Sequence, residues 1–353
     1  MHRRIGVLTL CSAAILAIAL PASASALTKT VSAGPPGNGL AKKVLGKAFL
    51  KKYAPDVNAF FLQRVTINQG DSVKFVINGF HDIDLPGTTG KDLPLLLPGP
   101  LVTGANDAAG VPFWFNGLRP SLGINPALFS KIGGSTYDGT SRIDSGITAS
   151  KLTVKFTKPG TYKYFCDVHP GMVGYVVVRA TGKSIPSAAQ DAAAATKQQL
   201  AALAAVKKAA KVKPPANEVD VGSAGAGGAE DYTMFPATLH VSKGTVVTFT
   251  MTPDSREAHT ATFGPVGYLT TLANSITSPA PKQQVWYPSD PPMSGPVQQS
   301  ATSHGNGFAN TGVLDEDPTT PNPVFSKIKF LQKGTYHYIC LIHPFMRGTI
   351  VVQ

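Results

Sequence analysis

Eight residues of this 353-residue chain have the types and intervals needed to hold metal ions: His81, Cys166, His169 and Met172, then His259, Cys340, His343 and Met346. Each set is an early histidine followed by Cys-x-x-His-x-x-Met, with 85 residues from His81 to Cys166 and 81 from His259 to Cys340. Two imidazoles, a thiolate and a weak thioether suit copper, because soft sulfur favours Cu(I) and imidazole binds both oxidation states. Structural zinc would take four Cys or His ligands and gains little from a thioether. The spacing predicts two type 1 copper ions per chain, one in each half. An exported chain with two distant cysteines could join them in a disulfide. Here each cysteine lies in its own ligand frame, so no Cys166–Cys340 bond is expected.

The elements that must position these ligands also occur twice. Residues 158–178 read KPGTYKYFCDVHPGMVGYVVV, and residues 332–352 read QKGTYHYICLIHPFMRGTIVV. Upstream, Arg64 to Ile77 parallels Thr238 to Met251, and each is followed within ten residues by the early histidine. At the start of each half, Val31-Ser32-Ala33-Gly34 is set beside Val221-Gly222-Ser223-Ala224-Gly225. Within these segments apolar and polar residues alternate, as in Leu152, Val154 and Phe156 or Val247, Phe249 and Met251, which predicts half-buried antiparallel strands. Tyr162, Tyr164 and Cys166 alternate along one strand, as do Tyr336, Tyr338 and Cys340, so each cysteine ends its strand pointing inward. A backbone N–H near Asp82 or Thr260 is placed to donate to the thiolate. Many short strands without interleaved helices make an all-β chain of two tandem β-sandwiches.

Between the halves, Ser187 to Val212 is Ala-rich, opens with a Ser187/Gln190 capping box and ends in lysines, which predicts a helix. It could hold the halves roughly 35–40 Å apart at ~1.5 Å per residue, or fold back on the stripe Leu200, Leu203 and Val206. Leu40 to Tyr53 is a second candidate helix, with Lys42, Lys43, Lys47, Lys51 and Lys52 on a solvated face and no clean apolar stripe. The expected boundaries are a signal peptide at 1–26, domain one at 27–182, the linker at 183–215 and domain two at 216–353.

Both halves resemble the plastocyanin/azurin-type cupredoxin family, and the loop His343-Pro344-Phe345-Met346 is similar to that of amicyanins. The resemblance implies Greek-key sandwiches that shuttle single electrons, with the loop histidines His169 and His343 as ports near the surface. It leaves the long stretches Gly87 to Ala149 and Gly264 to Asn322 unassigned. An enzyme alternative is a two-domain multicopper oxidase or nitrite reductase, which would need further histidines, commonly His-x-His pairs, and the chain contains none. Of the remaining histidines, His240 and His337 point outward on strands and His304 lies in a Gly-rich loop. Copper buffering or delivery is a third reading.

The first 26 residues carry a basic start, an apolar stretch from Ile5 to Leu20 and a small-residue end at Ala22 to Ala26, the pattern of a cleaved secretory signal. Cys11 leaves with it. The protein is therefore expected to be secreted or periplasmic. Losing Arg3 and Arg4 lowers the formal charge from +12 to +10, since positions 1–26 hold no acidic residue. For an exported protein this favours acidic protein partners, anionic surfaces or cell-wall polymers rather than nucleic acid, and the family resemblance implies exported redox proteins as electron donor and acceptor.

Overall fold

The computed structural model describes residues 26–98, 108–110, 122–276, 295–320 and 322–353. The expected leader up to residue 25, Cys11 included, and parts of both long insertions lie outside the described residues. No helix among the described residues is long and apolar enough to cross a membrane.

Side-chain alternation builds the sheets. In Lys151–Phe156 the residues Leu152, Val154 and Phe156 are buried while the intervening ones are exposed. The first sandwich has one sheet in the order Phe60–Phe61, Thr28–Ala33, Ser72–Ile77, Lys151–Phe156, Thr136–Tyr137. Its other sheet runs Ile143–Asp144, Asp84–Leu85, Gly160–Phe165, Val173–Arg179, Arg64–Asn68. The second sandwich has a sheet of Ala229–Phe235, Glu218–Gly225, Val246–Thr250, Phe325–Phe330 and Val297–Gln299. Facing it is a sheet of Thr238–Val241, Arg347–Val352, Gly334–Ile339, Thr262–Phe263 and Ala309–Asn310.

The strand that ends in each cysteine is anchored by its tyrosine. Tyr164 and Tyr338 are both at most 1 % exposed and meet Phe75 and Phe249 edge-on at 5.1 and 5.4 Å between ring centroids. Across each hairpin the tyrosine faces a glycine, Gly174 or Gly348. A Cβ on either glycine would lie 2.1 or 2.2 Å from the ring, so only glycine lets the ring lie flat over the neighbouring strand.

Register corrects one expected alignment. Val31 pairs with Phe75, and it is Val219 that pairs with Phe249. The true counterpart of Gly34 is therefore Gly222, and both glycines have positive φ, +82° and +86°. A Cβ on either would fall 2.7 or 2.8 Å from Nε2 of His81 or His259. Each early histidine thus sits on a bare glycine.

The linker helix spans Ala188–Ala209 and carries the expected capping box: the Ser187 N–H donates to Gln190 Oε1 at 2.8 Å, and the Gln190 N–H donates to Ser187 Oγ at 3.3 Å. It does not hold the halves apart. Ala202, Leu203 and Val206 are buried against Leu45, Val57, Phe61 and Ala229, whereas Leu200 is 42 % exposed. The Lys-rich segment is two helices, Asn38–Leu45 and Lys47–Lys52, broken at Gly46 with φ 85°. Two short axes explain the lack of one apolar stripe, and all five lysines are exposed.

One strand crosses the expected boundary at 27–182. Pro55–Val57 pairs antiparallel with Ala229–Asp231 and so belongs to the second sandwich. The Ala54 N–H donates to Asp231 Oδ1 at 2.8 Å, and the Tyr232 N–H donates to the Ala54 carbonyl at 2.9 Å. The two halves are bound as one body along this edge.

Candidate metal centres

In each predicted set the two histidines and the cysteine converge. In the first half, Cys166 Sγ lies 3.6 Å from His81 Nδ1 and 3.3 Å from His169 Nδ1. In the second, Cys340 Sγ lies 3.8 Å from His259 Nδ1 and 4.0 Å from His343 Nδ1, and the two imidazole Nδ1 atoms are 3.2 Å apart. Bonds of about 2.0–2.3 Å to a first-row metal would leave donors in a trigonal arrangement at separations of this size. Met172 and Met346, each 1 % exposed, close the loops. In both, the cysteine N–H donates to the methionine carbonyl at 3.1 Å, and the methionine N–H donates back to the loop histidine carbonyl at 3.0 and 2.8 Å.

Burial sets the protonation of these groups. It pushes the Cys166 thiol well above its ordinary value, and the charge of Asp82 adds to this, against the backbone amides of Asp82, Val168 and His169. Burial likewise pushes Cys340 up to about 11 against the amides of Thr260 and His343. The Thr260 N–H donates to Cys340 Sγ at 3.4 Å. Burial lowers His81 to about 2, helped by His169, and His259 to about 3, helped by His343. Neutral imidazoles are ready ligands, and each thiol must lose its proton to solvent when an ion binds.

Sequence reasoning missed Glu257. It is 4 % exposed, and its Oε2 lies 3.1 Å from His169 Nε2 and 3.7 Å from His343 Nε2. The Tyr232 hydroxyl donates to the same oxygen at 2.9 Å and is itself held by Asn58 Nδ2 of the first half at 3.1 Å. The Tyr232 ring stacks on His343 at 4.9 Å and 28°. Burial alone would raise the Glu257 carboxyl, but His169 and His343 more than reverse this and hold it well below the ordinary range. One buried carboxylate therefore joins the loop histidines of both halves. The signal for it in the sequence was a lone acidic residue two before His259, with no counterpart two before His81.

This geometry corrects the expectation of two surface ports. The His169 side chain is 3 % exposed and that of His343 is 18 % exposed. Of the other histidines, His240 and His337 are exposed on their strands, and His304 lies edge-on to Phe308 at 5.5 Å.

Residues 136–179 match the plastocyanin/azurin family of copper binding proteins. That segment contains Cys166, His169 and Met172. Among solved structures, the chain is similar to a reduced Cu(I) amicyanin variant, at 20 % identity over 41 % of this chain and 89 % of that one, with a TM-score of 0.21. It is similar to an oxidized amicyanin variant at 21 % identity, 41 % and 89 % coverage and a TM-score of 0.22. Oxidized plastocyanin from Dryopteris crassirhizoma is similar at 21 % identity, with 38 % of this chain and 99 % of that one covered and a TM-score of 0.21. No curated protein matches the chain.

Proposed function

We propose that this cupredoxin-like chain is an exported electron-transfer protein that holds one type 1 copper ion in each half and passes electrons between the halves through His169, Glu257 and His343. His81, Cys166, His169 and Met172 would hold one ion, and His259, Cys340, His343 and Met346 the other. Bound copper supplies a one-electron Cu(I)/Cu(II) couple.

The observation that carries the reading is the shared oxygen of Glu257, 3.1 and 3.7 Å from the two loop-histidine Nε2 atoms. Each of these histidines turns Nδ1 toward its cysteine and Nε2 toward the carboxylate. An anionic acceptor keeps the proton on Nε2 of His169 and leaves its Nδ1 free to ligate, which fixes the tautomer at the first site, and the same charge favours that tautomer of His343. The same carboxylate completes a short path from one ligand set to the other, hydrogen-bonded to His169 and within ion-pair range of His343.

Access is one-sided. His169 is covered, while the second ligand loop presents Phe345, 59 % exposed, beside the exposed Arg347. An exported redox partner with an apolar contact ringed by acidic groups would dock there and exchange electrons with the second half, and the first half would be served through Glu257. A multicopper oxidase or nitrite reductase would need histidines in a further cluster, and the outward positions of His240 and His337 suit the carrier reading better.

The test is metal analysis and EPR of the mature protein, followed by one-electron pulse reduction. Two coppers per chain, both type 1, and redistribution of the electron between them are expected. Glu257→Gln should keep both coppers and slow the redistribution at least tenfold. A type 2 signal with turnover of dioxygen or nitrite sinks the carrier reading, and an unchanged redistribution rate in Glu257→Gln sinks the bridge.

A further inference from the structure

Four aspartates of the first half, Asp82, Asp84, Asp144 and Asp167, are at most 4 % exposed. Each has one oxygen already engaged. Asp82 Oδ1 accepts from the Asp167 N–H at 2.7 Å, Asp144 Oδ1 from the Gly146 N–H at 2.7 Å and Asp167 Oδ1 from the Leu93 N–H at 2.9 Å. Asp84 Oδ2 pairs with Arg142. The second oxygen of every one of them, Asp82 Oδ2, Asp84 Oδ1, Asp144 Oδ2 and Asp167 Oδ2, is buried without a hydrogen-bond partner. Oxygens from Asp82, Asp144 and Asp167 lie within 4.8 Å of one another.

We propose that Asp82, Asp144 and Asp167, with Asp84 alongside them, form a site for a hard divalent cation, Ca2+ or Mn2+, inside the first half. The donor chemistry is oxygen only, which selects such ions over copper or zinc. Four buried carboxylates face one paired arginine, and buried like charges are costly unless a cation meets them. Each carboxylate is held by a backbone N–H or a guanidinium through one oxygen and offers the other, the usual way a protein aims metal ligands.

The second half supplies the internal control. Strand pairing equates Asp84 with Thr262 and Asp144 with Asn310. The Leu341 N–H donates to Thr260 Oγ1 at 2.8 Å, just as that of Asp167 does to Asp82, and the Gly312 N–H donates to Asn310 Oδ1 at 2.9 Å, as that of Gly146 does to Asp144. Thr260 and Thr262 satisfy one another at 3.0 Å. The scaffold is thus the same with Thr260, Thr262, Asn310 and Leu341 in place of four aspartates. The fold needs only the engaged oxygens; the negative charges and the spare oxygens are additions peculiar to the first half. A cation there would clamp the segment that carries His81 to the one that carries Cys166.

The mature full-length protein, treated with a calcium chelator and dialysed, is titrated with Mn2+ and, separately, with Ca2+. One equivalent of either should bind per chain and raise the melting temperature. Mn2+ should broaden the amide proton resonances of Asp82, Leu93 and Gly146 while sparing Leu341 and Gly312. Asp144→Asn keeps the acceptor for the Gly146 N–H and copies Asn310, and it should weaken binding at least tenfold. No binding to the wild type at millimolar cation, broadening elsewhere, or undiminished affinity in Asp144→Asn overturns the site and leaves carboxyls that share protons. If Asp144→Asn fails to fold, the wild-type broadening pattern alone decides. Neither titration draws on the copper assignment.

Discussion

The two halves hold the same ligand loop in different surroundings. Both loops make the same pair of backbone hydrogen bonds, and both early histidines rest on a positive-φ glycine. In the first half the thiol lies 3.3 and 3.6 Å from its imidazoles, His169 is covered, and Asp82 and Asp167 flank the ligands. In the second the separations are 3.8 and 4.0 Å, His343 is partly open, and the flanking residues are Thr260 and Leu341. Repeated backbone decides which donors meet. Residues just outside the repeated letters decide charge and access, so two matching sites can serve different roles.

The strongest way to break the comparison is to remove one thiolate at a time. Cys166→Ser should abolish the blue absorption and copper of the first half and leave one copper per chain, and Cys340→Ser should do the converse. Loss of both coppers from either folded variant would mean that the two sets share ligands and would overturn the reading of two independent sites. A smaller, symmetric effect is expected from Gly174→Ala and Gly348→Ala. Each drives a methyl group into a buried tyrosine ring and should cost about 1–3 kcal/mol by overpacking, read from denaturant unfolding. A cost in only one half would show that the two hairpins are not equivalent.

The subtlest difference is in pH dependence. Burial, offset in part by Arg142, raises Asp84 to about 7, and burial with the charge of Asp82 raises Asp144 to about 7. Without a cation, the folded first half therefore holds more protons than the unfolded chain between the ordinary carboxyl range near ~4 and about 7. The stability this contributes is complete below that window and is lost as pH rises through it. His81 and His259, both lowered by burial, act in the opposite direction, and in the second half His343, also lowered by burial, adds to this. Burial also raises Asp220 to about 7 and Glu230 well above its ordinary value in the second half, so amide-exchange protection at Val154 and at Ile328 should fall in both halves as pH rises toward 7, and Ca2+ should remove the trend at Val154 alone. A trend that Ca2+ removed equally in both halves would contradict the asymmetry.

Much of this was legible in the sequence because it is local. The Cys-x-x-His spacing, the alternating strands and the Ser187 capping box each depend on neighbours a few residues away, and the structure brings the cysteine and histidine of each loop together and forms the strands and the cap. The linker helix folds back because Ala202, Leu203 and Val206 find Leu45, Val57 and Phe61, a surface assembled from residues more than a hundred positions earlier. Letter identity puts Val221 beside Val31, two residues from its true match Val219, because strand pairing and a close histidine ring, not letters, set the alignment. Glu257 and the four aspartates escaped because they have no counterpart in the other half, and a search built on self-similarity does not see what is present once.

The strand Pro55–Val57 has a consequence for how this chain can be taken apart. It supplies the sixth strand of a sheet made otherwise from residues 218–330. A gene cut within the linker would give a first fragment with a loose, unpaired ribbon and a second fragment with Ala229–Phe235 as a bare edge, open to association with other chains. The two pieces should then be poorly soluble alone and should recover by finding each other when expressed together, as complementing fragments rather than as two freestanding modules.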